Sequence, residues 1–349
     1  MARRKALVAG ALGIVGSNVA DHLQSQGWEV VGVSRSRPKN EPKFRLVGLD
    51  LADRDACRRF VAAESGITHL FYAARSPRPQ PAEEAAANLA MLAHLMEPLQ
   101  ESAPAFQHVC LVHGTKWYGS HLGPFRTPAK EDDPRHLPPN FYYDQADYVA
   151  DLQKGKAWTW SGVRPALVCG FSLGYPHSVV AVLAVYAAIS KALGLPLRFP
   201  GSHAGFEAVT QATDVRLLAR AMAWAASEPK CQNQHFNVMN GDLFRWRNLW
   251  EKLARFFGME NGGVQTVTLA SVMADKEPLW RAIAEKHGLR PLALSEIVSW
   301  SYGDITFRQN WDHMSSTQKL RRMGFEANID TEDMFLELLK RFREERVVP

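Results

Sequence analysis

Short apolar runs alternate with segments of helical period through the first half of the chain. Residues 6–9 (Ala-Leu-Val-Ala) read as a strand and 15–26 as an amphipathic helix. Strands follow at 29–34 and 44–48, then a helix over 53–65, a strand at 69–73, a helix over 88–101 and a strand at 108–113. Strict alternation of the two periods implies parallel βαβ units, and right-handed crossovers wind them into a sheet covered by helices on both faces. From 117 to 140 the period vanishes, and Gly119, Gly123, Pro124, Pro128, Pro134, Pro138 and Pro139 mark a long loop. A helix over 142–156 and a strand ending near Cys169 come next. Beyond them the pattern is mostly helical, at 179–193, 214–227, 243–257 and 330–346. The expected fold is α/β: a Rossmann-type, doubly wound parallel sheet over 1–172, with 205–240 returning to it. Residues 173–204 and 241–349 then form a smaller, mostly helical lobe over the carboxyl ends of the strands.

Composition narrows the class. With 349 residues and 46% hydrophobic content the chain can bury a large core, and no repeat or biased tract suggests disorder. A net charge of +5 is modest at this size, and the densest basic run, 340–346, is interrupted by Glu344 and Glu345. It reads as a solvated helix face rather than a nucleic-acid stripe. Cys57, Cys110, Cys169 and Cys231 are far apart, form no Cys-x-x-Cys or Cys/His cluster, and so predict neither a metal site nor a disulfide framework. Cys110 and Cys169 lie in apolar strand runs, as buried free thiols do. No apolar stretch reaches membrane-spanning length, and the first strand follows the opening Met-Ala-Arg-Arg-Lys directly. The expected location is the cytoplasm, with a small-molecule substrate, no nucleic-acid or membrane partner, and a homodimer left open.

Gly10-Ala11-Leu12-Gly13-Ile14-Val15-Gly16 lies between the first strand and the first helix. Glycines are needed there for the tight turn, for close backbone approach to a pyrophosphate, and for packing the helix on the strand. The helix N-terminus offers free N–H groups to the phosphates. The second strand ends Val33-Ser34-Arg35-Ser36-Arg37-Pro38, with no acidic residue where NAD sites carry one. A guanidinium can grip a 2′-phosphate through two hydrogen bonds, so Arg35, with Ser34, predicts NADPH/NADP+ as cofactor. Asp50 and Leu51 either border the adenine or open the following helix. Ala73, ending the fourth strand, and Thr115, after the fifth, complete the cofactor-side candidates.

Many short-chain reductases place Tyr-x-x-x-Lys on one helix, and no tyrosine here has that partner: Tyr142, Tyr143, Tyr148 and Tyr186 are followed at four residues by Ala146, Asp147, Leu152 and Ser190. Two segments stand in its place. The fifth strand ends His113-Gly114-Thr115-Lys116-Trp117-Tyr118, and the helix after the long loop begins Asn140-Phe141-Tyr142-Tyr143. These features resemble the progesterone 5β-reductase/iridoid synthase-like family of atypical extended short-chain dehydrogenases/reductases. Gly123-Pro124-Phe125, Gly170-Phe171-Ser172, Gly194-Leu195-Pro196-Leu197-Arg198-Phe199-Pro200-Gly201 and Asn240-Gly241-Asp242 with Trp246 and Trp250 extend the resemblance over nearly the whole chain. The resemblance implies Lys116 and Tyr142 as the catalytic pair, both also on the cofactor side. It implies Trp117, Phe125, Tyr143, Phe171 and Ser178 on the substrate side, although Trp117, Phe125 and Phe171 read equally well as core. Ser178 replaces the family's Asn, and Ala146 replaces an acidic residue.

The reaction so implied is NADPH-dependent reduction of the C=C bond of an α,β-unsaturated carbonyl. Hydride reaches the β-carbon, negative charge gathers on the carbonyl oxygen, and Tyr142 and Lys116 stabilise the enolate. Two alternatives stay open at this stage. One is a ketone reductase or nucleotide-sugar epimerase, which would want the missing Tyr-x-x-x-Lys pair. The other is a dinucleotide sensor that binds without turnover.

Overall fold

Apolar strands and amphipathic helices do alternate in the computed structural model, which describes residues 4–38 and 41–349. In chain order the first half contains β1 (Lys5–Ala9), α1 (Ile14–Ser25), β2 (Glu29–Ser34), β3 (Arg45–Gly48), α2 (Arg54–Ala63), β4 (His69–Tyr72), α3 (Pro81–Ser102) and β5 (His108–Val112). The second half adds α4 (Phe141–Gln153), β6 (Thr159–Pro165), β7 (Leu167–Cys169), α5 (Val179–Ala192), β8 (Ala212–Asp214), α6 (Val215–Ala225), β9 (Gln234–Val238), α7 (Trp246–Phe257) and α8 (Thr331–Glu344). The sheet has seven strands in the order β9-β6-β5-β4-β1-β2-β3. All its pairings are parallel, with Leu7 beside both Val31 and Leu70 at the centre. Chain order reverses between β1 and β4, and that reversal leaves a crevice at their carboxyl ends where ligands bind in such sheets.

Side-chain alternation along the strands gives the sheet two apolar faces. Val8, Val30, Phe71, Cys110 and Val163 pack against Val19 and Leu23 of α1 and Leu218 and Met222 of α6. Leu7, Val31, Leu70, Val109 and Leu111 pack against Val61 of α2, Leu95 and Leu99 of α3, and Val149 of α4. A third core gathers the later segments: α5 is buried almost all round, against Trp250 of α7 and Phe335, Leu338 and Leu339 of α8.

The differences from the sequence reading have local causes. Helix α3 begins at Pro81 rather than 88, because Pro fits a first helical turn and Glu83 and Glu84 favour its positive end. Asp53 is the cap of α2, its side chain accepting from Ala56 N–H, rather than the first helical residue. The strand expected to end near Cys169 is two strands. β6 leaves the main sheet after Pro165, and β7 pairs instead with β8, where Thr213 Oγ1 accepts from Ala166 N–H at 3.2 Å. The start of the long loop is a 3₁₀ turn, Thr115–Tyr118. All four cysteines are buried and unpaired. Among the described residues no helix is long and apolar enough to cross a membrane, and no His/Cys/Asp/Glu group could hold a metal ion.

Candidate active site

The glycine-rich turn is built by contacts that exclude side chains. Gly10 has φ +77°, and a Cβ there would lie 2.9 Å from the Ala73 carbonyl. A Cβ on Gly16 would lie 2.2 Å from Gly10 O, so that glycine brings α1 against the turn. Gly13 caps α1 without a side-chain hydrogen bond, which leaves the helix N-terminus open to an anion. Beside it runs a groove of about 620 Å³ lined by Gly10, Gly13, Ile14, Val15, Ser34, Arg35, Leu51 and Ala73. Arg37, Arg75, Tyr175, Phe171 and Arg341 line it too. Arg35 and Arg37 are exposed and have no ion-pair partner among the described residues. A turn that only glycine fits, an open helix end and unpaired guanidinium groups suit a phosphorylated dinucleotide.

Of the cofactor-side candidates, Gly16, Asp50, Thr115, Lys116 and Tyr142 do not line this groove. Asp50 accepts from Ala52 N–H at 3.0 Å, in the turn ahead of the helix that Asp53 caps. Thr115 is buried, its hydroxyl accepting from Ser120 at 3.2 Å.

The chemical corner lies where β5 ends. Lys116 sits on the 3₁₀ turn with its side chain exposed, and Nζ has no hydrogen-bond or ion-pair partner among the described residues. Its surroundings still lower its pKa below the ordinary lysine value, by desolvation first and the Arg75 charge second, against a smaller opposite effect of Glu84. Tyr142 occupies the first turn of α4. One residue ties it to Lys116: Asn140 Oδ1 accepts from Tyr142 N–H at 3.1 Å, and Asn140 Nδ2 donates to the Lys116 carbonyl at 3.1 Å. The Tyr142 hydroxyl lies over Gly114, 3.3 Å from where a Cβ would stand, so a side chain at 114 would crowd it. Burial pushes the phenol up to about 12, with Arg75 opposing, so Tyr142 is a protonated donor at neutral pH.

The adjacent tyrosine is used differently. Tyr143 O–H donates to the Trp117 carbonyl at 2.5 Å and accepts from His136 N–H at 3.1 Å, and its ring stands edge-on to Trp117. Trp117 is itself buried, 4% exposed, with the Arg164 guanidinium 3.7 Å over its ring. Ser178 is buried and caps α5, its hydroxyl accepting from Ala181 N–H at 3.4 Å. These three substrate-side candidates therefore stand in packing and capping roles. Phe125 is half-buried, edge-on to His313. Phe171 borders the groove, its ring against Phe342 and under the Arg341 guanidinium.

Arg75, Tyr175 and Arg341 are among the groove residues outside the sequence reading. Arg75 is three residues beyond β4 and ion-paired to Glu84 at 2.7 Å; its place past a strand's carboxyl end was a usable signal. Tyr175 follows the Gly170-Phe171-Ser172 turn. Arg341 belongs to the helix face read as solvated, and only tertiary packing of α8 brings it to the groove.

Residues 51–349 match the family described as the PRISE-like Rossmann-fold domain. The (S)-8-oxocitronellyl enol synthase of Catharanthus roseus is 34% identical over 363 residues, covering 99% of this chain and 92% of that protein. The 3-oxo-Delta(4,5)-steroid 5-beta-reductase of Arabidopsis thaliana is 33% identical over 368 residues, covering 99% and 93%. Among solved structures, UDP-glucose 4-epimerase of Thermotoga maritima superposes with TM-score 0.70 at 17% identity, over 97% of this chain and 99% of that one. A short-chain dehydrogenase/reductase superfamily protein of Agrobacterium tumefaciens with bound NAD superposes with TM-score 0.68 at 16% identity, over 99% and 98%. At such identities the structural matches speak for the fold.

Proposed function

The chain belongs to the PRISE-like Rossmann-fold family, and on that premise we propose that it is an NADPH-dependent oxidoreductase reducing the C=C bond of α,β-unsaturated carbonyl compounds. The observation that carries this reading is the Lys116–Asn140–Tyr142 unit, in which one side chain ties the backbones that bear an unpaired ammonium and a protonated phenol at the carboxyl edge of the sheet.

The cofactor, when bound along the groove, supplies hydride to the β-carbon. Gly10, Gly13 and the open end of α1 would hold its pyrophosphate, and Arg35, with Arg37, the 2′-phosphate that separates NADPH from NADH. The protein's own chemistry is then electrostatic. As the C=C bond accepts hydride, charge moves to the carbonyl oxygen. A preorganised donor aimed at that oxygen contributes about 3–4 kcal/mol of transition-state stabilisation. Tyr142 O–H is that donor, and Lys116 adds positive field without having to release a proton. Two relatives are named for a steroid reductase and an enol synthase. An enol is what forms when the enolate oxygen, rather than carbon, takes the first proton, and a hydroxyl donor at oxygen supports that outcome. Four buried, unpaired cysteines support a reducing compartment such as the cytoplasm.

Incubating the protein with NADPH and a panel of simple enones, monoterpenals and 3-oxo-Δ4-steroids tests the proposal. Cofactor oxidation accompanied by the saturated carbonyl is expected. Products consisting only of allylic alcohols would place hydride on the carbonyl carbon and overturn it.

A further inference from the structure

Beside Tyr142 the sheet carries polar side chains that the reaction so far leaves unused. Strand geometry puts them on one face: His113, one residue past β5, lies two residues beyond Leu111, Gly162 pairs with Leu111, and His235 of β9 pairs with Gly162. A Cβ on Gly162 would meet His235 Nδ1 at 2.2 Å, so glycine there is what lets the imidazole lie across β6. His113 is 3% exposed. Its ring centroid is 5.0 Å from that of Tyr142 and 5.8 Å from that of His235. Neither nitrogen of His113, nor Nδ1 of His235, has a hydrogen-bond partner among the described residues. His235 in turn lines a second groove, of about 690 Å³, together with Trp160 and Lys319. Buried imidazole nitrogens are normally satisfied, since a buried polar group without its hydrogen bond has lost water and gained nothing in return. Three such atoms on two rings between Tyr142 and a solvent-open groove call for a use.

We propose that His113 and His235 form a proton relay that restores the Tyr142 hydroxyl from the second groove. The inference rests on the enone-reductase reading. Hydride arrival at the β-carbon sends the C=C π pair to the carbonyl oxygen. The Tyr142 O–H bond breaks as its proton bonds to that oxygen, giving the enol and a phenolate. Neither His113 nitrogen is hydrogen-bonded to Tyr142, so an ordered water carries the proton from His113 N–H to the phenolate, while the other His113 nitrogen takes one from His235. His235 is reprotonated by water in the second groove, an ordered water bridging where the rings do not meet directly. The sum is enone, NADPH and one proton converted to enol and NADP+. Each imidazole accepts at one nitrogen and releases from the other, so neither must rest as a cation. Burial and the Arg164 charge, with His113, Lys319 and Arg135 adding to it at His235 and Arg135 at His113, hold both rings neutral. The arrangement leaves the cofactor side of the site free of any proton donor requirement.

His113→Phe and His235→Phe keep the ring packing and remove the nitrogens. With NADPH and an enone that the unmodified protein reduces, kcat is expected to fall on the order of tenfold in each variant, with NADPH affinity unchanged. The solvent deuterium effect on kcat should rise, while the effect of deuterium at the transferred position of NADPH shrinks toward one. An unchanged kcat in both folded variants overturns the relay. So does a fall accompanied by a larger deuterated-NADPH effect, which marks a distorted hydride step. Should the Phe variants not fold, His235→Ala with added imidazole decides: recovery of kcat supports the relay, and no recovery overturns it. If the unmodified protein oxidises NADPH with none of the enones, it is the enone-reductase reading that has failed, not the relay.

Discussion

Tyr142 and Tyr143 are chemically alike and adjacent, and about 100° of helical rotation separates their functions. Tyr142 faces Gly114 with a hydroxyl that has no protein partner among the described residues, whereas Tyr143 spends its hydroxyl on Trp117 and His136. Tyr142→Phe should lower kcat on the order of 10²–10³-fold, the scale of one lost oxyanion donor, and leave NADPH affinity unchanged. Tyr143→Phe should do the reverse: a smaller loss of kcat, with about 1–3 kcal/mol of folding stability lost because the Trp117 carbonyl and His136 N–H are stranded. Steady-state kinetics and urea unfolding of both variants check the pair, and a larger kcat loss in Tyr143→Phe would reverse the assignment. At the far end of the groove, Arg35→Ala should weaken NADPH about tenfold or more, as befits a charge-assisted pair of about 1.5–3 kcal/mol, and barely change NADH. Equal losses for both cofactors in a binding titration would remove Arg35 from the 2′-phosphate.

Helix α4 is held to the site through its cap, and the cap has two jobs. Asn140 accepts from Tyr142 N–H with its oxygen and donates to the Lys116 carbonyl with its nitrogen. Asn140→Asp keeps the acceptor and loses the donor; Asn140→Ala loses both. Asp should therefore retain most of the stability, while Ala loses about 0.5–2 kcal/mol, and both should lower kcat by releasing the Lys116 turn. Thermal melts beside kcat would show it, and full activity in the Asp variant would sever the link between cap and lysine. The start of this helix was readable from Asn-Phe-Tyr-Tyr, as were the glycine turn and the first five strands, because there local pattern and tertiary burial agree. β9 was not: Gln-His-Phe-Asn-Val mixes polar and apolar residues, since an edge strand facing a polar groove need not alternate cleanly. The β6–β7 break was hidden inside one apolar run, and no periodicity reports a strand changing sheets. Trp117 and Ser178 fell on motif positions that matched the substrate side, yet Arg164 covers one and α5 claims the hydroxyl of the other. Arg341 reaches the groove only because α8 folds back on Phe171, which no local signal encodes.

The whole molecule buries an unusual set of neutral imidazoles, and its stability should carry their signature. Burial, with neighbouring cationic charge at most of them, pushes His69 down to about 4, His108 to about 3 and His313 to about 4, and holds His113 and His235 well below the ordinary histidine value of 6.5. In the unfolded chain the same rings take up protons as the pH drops through about 6.5. Below that pH the unfolded state binds protons that the folded state refuses, so stability falls with falling pH. Each such ring contributes up to about 1.4 kcal/mol per pH unit until its folded pKa is reached. The loss should therefore begin near pH 6.5 and run down toward pH 4, earlier than carboxylate titration alone would start it. Glu131, whose pKa burial raises from 4.5, acts in the opposite direction, but chiefly at the acid end of that window. Urea midpoints measured at pH 7.5, 6.5, 5.5 and 5.0 should decline steeply over the last three. His69 bonds Thr68 through Nδ1, meets the Ala226 backbone as well, and packs on Trp28 and Phe71, so His69→Phe keeps the ring packing and removes one titrating ring. That variant should show a shallower decline than the unmodified protein. A midpoint that stays level from pH 6.5 to 5.0 would mean that these rings are protonated, or reached by water, in the folded chain.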